Sequence, residues 1–118
     1  MAAALHRADN AGVSSDRYKI EVGARLRMAI EALGLTFAHV ARELDESPSK
    51  LGNWMRGANF PDPWFVRRFC DRYGVTTDWL YRGQVSGVAS GVADALWRAL
   101  EASQAEPAAQ ADQERDNA

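Results

Sequence analysis

The stretch from Phe37 to Gly57 constrains this chain more than any other. Phe37, Val40, Ala41 and Leu44 fall on one face of a helix over 37–44. A helix that short is not stable alone. Asp45-Glu46-Ser47 interrupts it, and Ser47-Pro48 opens a second helix: the serine hydroxyl caps free N–H groups, and proline at the first helical position has no N–H to leave unpaired. This second helix spans 48–56 and stops at Gly57, with Leu51 and Trp54 facing inward. Two such short helices must be packed between neighbours, so the flanking chain has to supply them.

The flanks do so. Ile20, Val22, Leu26, Ile30 and Leu33 predict an amphipathic helix over 18–33, ended at Gly34, and Thr36 caps the helix that follows. After a loop with two prolines, Trp64, Phe65, Val66, Phe69, Cys70 and Tyr73 make the broad apolar face of a helix over 63–73, stopped at Gly74. A short fifth helix starts at Thr76 or Thr77 and reaches Gly83. Trp54, Trp64, Phe65, Phe69 and Trp79 are the expected aromatic core, because helical spacing accounts for all of them. The fold class is therefore all-α, with a five-helix domain over 17–83.

Outside that domain the chain thins. Residues 1–16 have no regular apolar period and read as a flexible leader. Gln84 to Gly87 is a linker by composition, followed by Val88, Val92, Leu96 and Leu100 at a spacing of four, which predicts an additional helix over 88–103 within the segment 84–103. Residues 104–118 hold Ala, Gln, Asp and Glu without a large apolar side chain and read as a disordered acidic tail.

The formal charge of −2 averages unlike parts: +3 over 17–83 and −4 over 84–118. A polyanion would meet these two segments differently. No apolar run is long enough to cross a bilayer, and the first ten residues lack a signal-peptide core. Cys70 is the one cysteine, which suits a reducing compartment. A cytoplasmic, nucleoid-associated protein is expected.

Two short helices joined by a three-residue turn, the second opened by a cap, form a helix-turn-helix pattern. A helix fits the major groove of duplex DNA, and its polar side chains meet base edges there. The outward set on the second helix, Ser49, Lys50, Gly52, Asn53 and Arg56, contains donors and cations and no acid. Gly52 in mid-helix costs roughly 1 kcal/mol relative to alanine, which close approach to a groove would justify. Ser49, Lys50, Gly52 and Asn53 are the expected base-edge residues, with Asn53 suited to adenine and Lys50 to a guanine edge or a phosphate. Thr36, Phe37, Ser47, Arg56 and Asn59 are the expected backbone-positioning set.

The run from Leu35 to Pro61, together with Gly34, Tyr73-Gly74-Val75-Thr76, Asp78-Trp79-Leu80 and Gly83, resembles the Cro and lambda-repressor-like helix-turn-helix family, also called the xenobiotic-response-element family. The resemblance covers about residues 18–83 and implies sequence-specific double-stranded DNA binding by a transcriptional regulator, a repressor of bacterial or phage type. It also implies a homodimer reading two half-sites. Three departures stand out. Phe37 occupies the position where the family usually has a phosphate-touching Gln, Asp45 replaces the turn glycine, and Glu46 places an acid near the expected DNA backbone. Where many members join the first helix to the end of the third by an Arg–Glu pair, this chain has Ile30 and Met55, a self-consistent apolar exchange.

No Ser-His-Asp order, phosphate-cradling glycine loop or zinc-ligand cluster appears, so neither enzymatic activity nor a metal or other cofactor is expected. His39 and Glu43 sit four apart but read as an exposed polar pair. Arg67, Arg68 and Arg72 either hold phosphates or solubilise their helix. The stripe from Val88 to Leu100 packs back on the domain, pairs with its mate in a dimer, or serves a protein partner; dimerisation is the first expectation. The alternative function is an antitoxin-like or adaptor module that holds a protein partner through residues 84–118.

Overall fold

A computed structural model describes residues 14–117, with side chains through residue 104. Among the described residues it is all-helical: α1 is Ser15–Ala32, α2 Phe37–Glu43, α3 Pro48–Arg56, α4 Pro63–Tyr73, α5 Thr77–Arg82 and α6 Ser90–Asn117.

The boundaries of α2 to α5 follow the local signals to within a residue, because each helix has a physical start and stop. Thr36 Oγ1 accepts from His39 N at 3.1 Å, Ser47 Oγ from Lys50 N at 3.0 Å and Thr76 Oγ1 from Trp79 N at 3.1 Å. Helix α1 begins earlier than periodicity suggests. Ser14 caps it by accepting from Arg17 N at 3.2 Å, and Asp16 lies in the first turn, where the helix dipole favours an acid. Ser15 and Asp16, read from sequence as part of the leader, therefore belong to the helix. Residues 1–13 of that expected leader lie outside the described residues.

The core gathers around α1. Leu26, Ile30, Leu51, Phe65, Phe69, Trp79 and Leu80 are essentially inaccessible to water. Trp54 meets Phe65 at 4.7 Å between ring centroids, and Phe65 meets Phe69 at 5.7 Å. Two expectations fail at the rim. Trp64, assigned to the core by its spacing, is 61% exposed, because α4 buries the side that carries Phe65, Val66 and Phe69. Its ring instead lies under the Arg68 guanidinium, one turn on, at 5.3 Å. Ile20 also stays exposed; it lies against Gly57, where a Cβ would fall 2.5 Å from Ile20 Cα.

Helix α5 is tied to α1 by three hydrogen bonds. Tyr18 Oη donates to the Tyr81 carbonyl at 2.6 Å, Arg25 Nη1 to the Leu80 carbonyl at 2.9 Å, and Trp79 Nε1 to the Arg25 carbonyl at 3.2 Å. The indole N–H of a buried tryptophan is thus satisfied by α1 itself.

The carboxy-terminal stripe folds inward. Leu96 is fully buried and Val88 nearly so, while Val92 and Leu100 pack against the same core. Of the three uses expected for this stripe, packing back on the domain is the one these contacts correspond to. Helix α6 starts at Ser90 rather than 88, because Val88 N bonds to the Val85 carbonyl at 3.1 Å in a turn and Gly87 takes a φ of 89°. It continues to Asn117, past the expected end at 103 and through the segment read as disordered.

Candidate nucleic-acid interface

Helix α3 is held to α1 more tightly than side chains normally permit. At Gly23 of α1 a Cβ would fall 2.3 Å from the Trp54 carbonyl oxygen and 2.7 Å from that of Met55. The two backbones cross where only hydrogen fits, which fixes the end of α3 against α1. Ile30 is fully buried and Met55 packs against the core, so the apolar exchange at these positions is built into the packing.

With Leu51 and Trp54 buried, the opposite side of α3 faces solvent. Ser49, Lys50 and Arg56 are exposed and Gly52 and Asn53 partly so. The structure brings these five onto one helix face, which contains no acid. It is not a set of free side chains. Arg56 Nη2 donates to Asn53 Oδ1 at 2.5 Å, and Lys50 Nζ lies 3.7 Å from Glu46 Oε1. A Cβ on Gly52 would meet the Arg56 guanidinium at 3.1 Å, so the missing side chain leaves room for Arg56 to fold back on Asn53.

The backbone-positioning candidates are spread over three elements. Thr36 and Ser47 are exposed caps whose hydroxyls are already engaged, and Asn59 is exposed in the loop after α3. Phe37 is half-buried against the core, with the Arg27 guanidinium 5.4 Å from its ring centroid.

The turn accommodates both departures noted in its sequence. Asp45 adopts a left-handed φ of 52°, a region open to aspartate at moderate cost. Glu46 does not stand toward solvent as an isolated acid; its side chain is 11% exposed and lies 3.1 Å from Arg68 Nη2. Arg68 also donates from Nη1 to the Leu44 carbonyl. One guanidinium therefore neutralises the acid and closes the backbone of the turn. Arg72 pairs with Glu43 at 3.0 Å and Arg67 with Asp71 at 3.6 Å. The three arginines of α4 are thus engaged within the domain. Sequence pattern gave no sign of the Arg68–Glu46 pair, because the partners are far apart along the chain and neither spacing nor composition joins them.

Other chemistry is sparse. Burial, reinforced by the charge of Asp71, pushes the Cys70 thiol up to about 11, which keeps it protonated and a poor nucleophile near neutral pH. His39 Nε2 lies 3.4 Å from Glu43 Oε1, and among the described residues no group of three His, Cys, Asp or Glu side chains is placed to hold a metal ion. Among the same residues, no helix is long and apolar enough to cross a membrane.

A family model described as a helix-turn-helix domain matches residues 21–82, just over half of the chain. The match runs from the second turn of α1 to the last residue of α5 and includes the whole α2–α3 unit. No curated protein and no solved structure matches the chain.

Proposed function

Since the chain belongs to the helix-turn-helix domain family, we propose that it binds double-stranded DNA sequence-specifically and acts as a transcriptional regulator, a repressor of the Cro-like kind. The observation that carries this reading is the outer face of α3: polar, free of acids, and set on a buried Leu51–Trp54 base that holds the helix rigidly. The burial of Glu46 under Arg68 adds support, because it removes the repulsion an exposed acid would bring to a phosphate backbone. Ser49, Lys50, Gly52 and Asn53 would meet base edges, and Thr36, Ser47, Arg56 and Asn59 would position the backbone. A helix of nine residues makes few base contacts, so a symmetric dimer on paired half-sites belongs to the same reading. Its contact would lie outside the inward-facing stripe of α6.

Binding by the full chain to single-base variants of a site selected from randomised duplexes tests the assignment. Asn53→Ala should lose about 1–3 kcal/mol on the preferred site and relax preference at one base pair. Arg56→Ala should weaken every sequence alike, with a further modest cost from the lost bond to Asn53. Equal loss on every duplex for Asn53→Ala would show that another residue reads the bases, and no selection of any duplex would reject DNA binding.

The adaptor reading rests on a different observation. Trp97 is more than half exposed on α6, beside a shallow hollow lined by Val85, Gly87, Val88 and Ala93. On this reading a protein partner would be held equally well by the wild type and by variants of the α3 face.

A further inference from the structure

We infer that Arg27, a residue of α1 outside the two-helix unit, is the cation that grips the duplex backbone at the start of α2, seated there on the ring of Phe37. The inference rests on the DNA-binding reading above and adds a contact to it.

In a helix-turn-helix, the helix before the reading helix crosses the phosphate backbone. The two ends of α2 differ in what they offer a phosphate. The carboxy-terminal end carries Arg42, but beside it Glu43 and, in the turn, Asp45, all three on exposed residues. At the other end Thr36 has its oxygen engaged as a cap, and Phe37 has no hydrogen-bonding side chain. A cation is nevertheless present at Phe37, because Arg27 reaches it from α1.

Among the described residues three cations lie over aromatic rings, and they are not equivalent. Arg68, over Trp64, is committed to the turn through Leu44 and Glu46. Lys19, over Phe60 at 5.7 Å, is 27% exposed and lies 3.4 Å from Asp16. Arg27 is 57% exposed, and its one polar contact among the described residues is Nε to Glu31 Oε1 at 3.3 Å. Both terminal nitrogens are thereby left to form the two-pronged contact that a guanidinium makes with a phosphate. The half-buried ring of Phe37 restrains the guanidinium, so less side-chain freedom is lost on binding than for an arginine on open surface. Phe37 thus acts as the seat of the backbone contact.

The test is a salt titration of full-length protein on one fixed duplex, with thermal unfolding of each variant measured alongside. Arg27→Gln should lower affinity by about 3- to 10-fold at low salt and reduce the slope of log K against log salt by about one, with little change in Tm. Arg27→Lys should restore the slope but only part of the affinity, because a point charge replaces the fork. Glu31→Gln, which frees Nε, should tighten binding. An unchanged slope for Arg27→Gln on a duplex that the wild type binds with steep salt dependence would overturn the inference and leave the DNA-binding reading standing. A wild type that binds no duplex would overturn both.

Discussion

Helices α3 and α6 both lay an apolar stripe against the core around α1, and they are held in opposite ways. The crossing of α3 is made by backbone at Gly23, with a serine cap at one end and a left-handed glycine at the other, so its position is fixed at both termini and near its end. Helix α6 meets the core mainly through side chains, Val92, Ala93, Leu96 and Leu100 in its first half, with one backbone bond before its first residue, from Ala89 N to the Gly74 carbonyl at 3.1 Å. A backbone crossing tolerates no added atom, whereas a side-chain seam can repack at modest cost. The element expected to read DNA is therefore the one whose place the fold determines most closely, and the added helix is the one whose seam can adjust.

The largest expected effect on duplex binding comes from closing the tight crossing. Gly23→Ala places a methyl group against two carbonyl oxygens, so α3 must shift. Stability should fall by about 3 kcal/mol, at the upper end of the overpacking range, and duplex binding should be largely lost even where the variant is folded. Chemical denaturation paired with a gel shift checks this. Normal binding by a folded Gly23→Ala would show that the crossing does not set the reading helix.

Leu96→Asp attacks the other seam. Stability should drop by about 2–4 kcal/mol, the cost of losing a buried leucine contact with α6 free to detach and hydrate the carboxylate. Affinity of the folded fraction for DNA should stay within about threefold, since the outer face of α3 is untouched. A collapse of affinity would mean that α6 belongs to the binding surface and that the two helices are less independent than their packing indicates.

The smallest effect concerns the end of α6. Ala99, Ala102 and Ser103 share a shallow hollow with Arg27 and Glu31, so the acidic segment that follows leaves the domain beside a cation assigned to the DNA backbone. Removing residues after Ser103 should tighten non-specific binding by about two- to threefold at low salt and have no effect at high salt, as repulsion between the tail and phosphates is relieved and screened respectively. Anisotropy titrations at two ionic strengths decide it; weaker binding after truncation would point to a stabilising role for the segment.

These expectations divide along a line already visible in the residues. Thr36, Ser47-Pro48, Gly57, Gly74 and Thr76 mark helix ends through bonds made within a turn of the chain, which is why α2 to α5 were legible. The outward set on α3 was legible too, because burial of Leu51 and Trp54 dictates which side remains. Trp64 was misplaced by the same logic. Helical spacing says which residues share a face, but a broad apolar face extends beyond what the core covers, and only the neighbours decide where its edge falls.

The sequence by itself determined the all-helical class, the placement of the two-helix unit and the chemistry of the α3 face, all of which depend on local bonding and on the helical period. Tertiary structure alone decided that Gly23 admits α3, that Arg68 neutralises Glu46 and closes the turn, that Arg27 rests on Phe37, and that the stripe of α6 turns inward. Each of these joins residues from different elements. Their meeting depends on the packing of whole helices, and no spacing along a single stretch of chain encodes it.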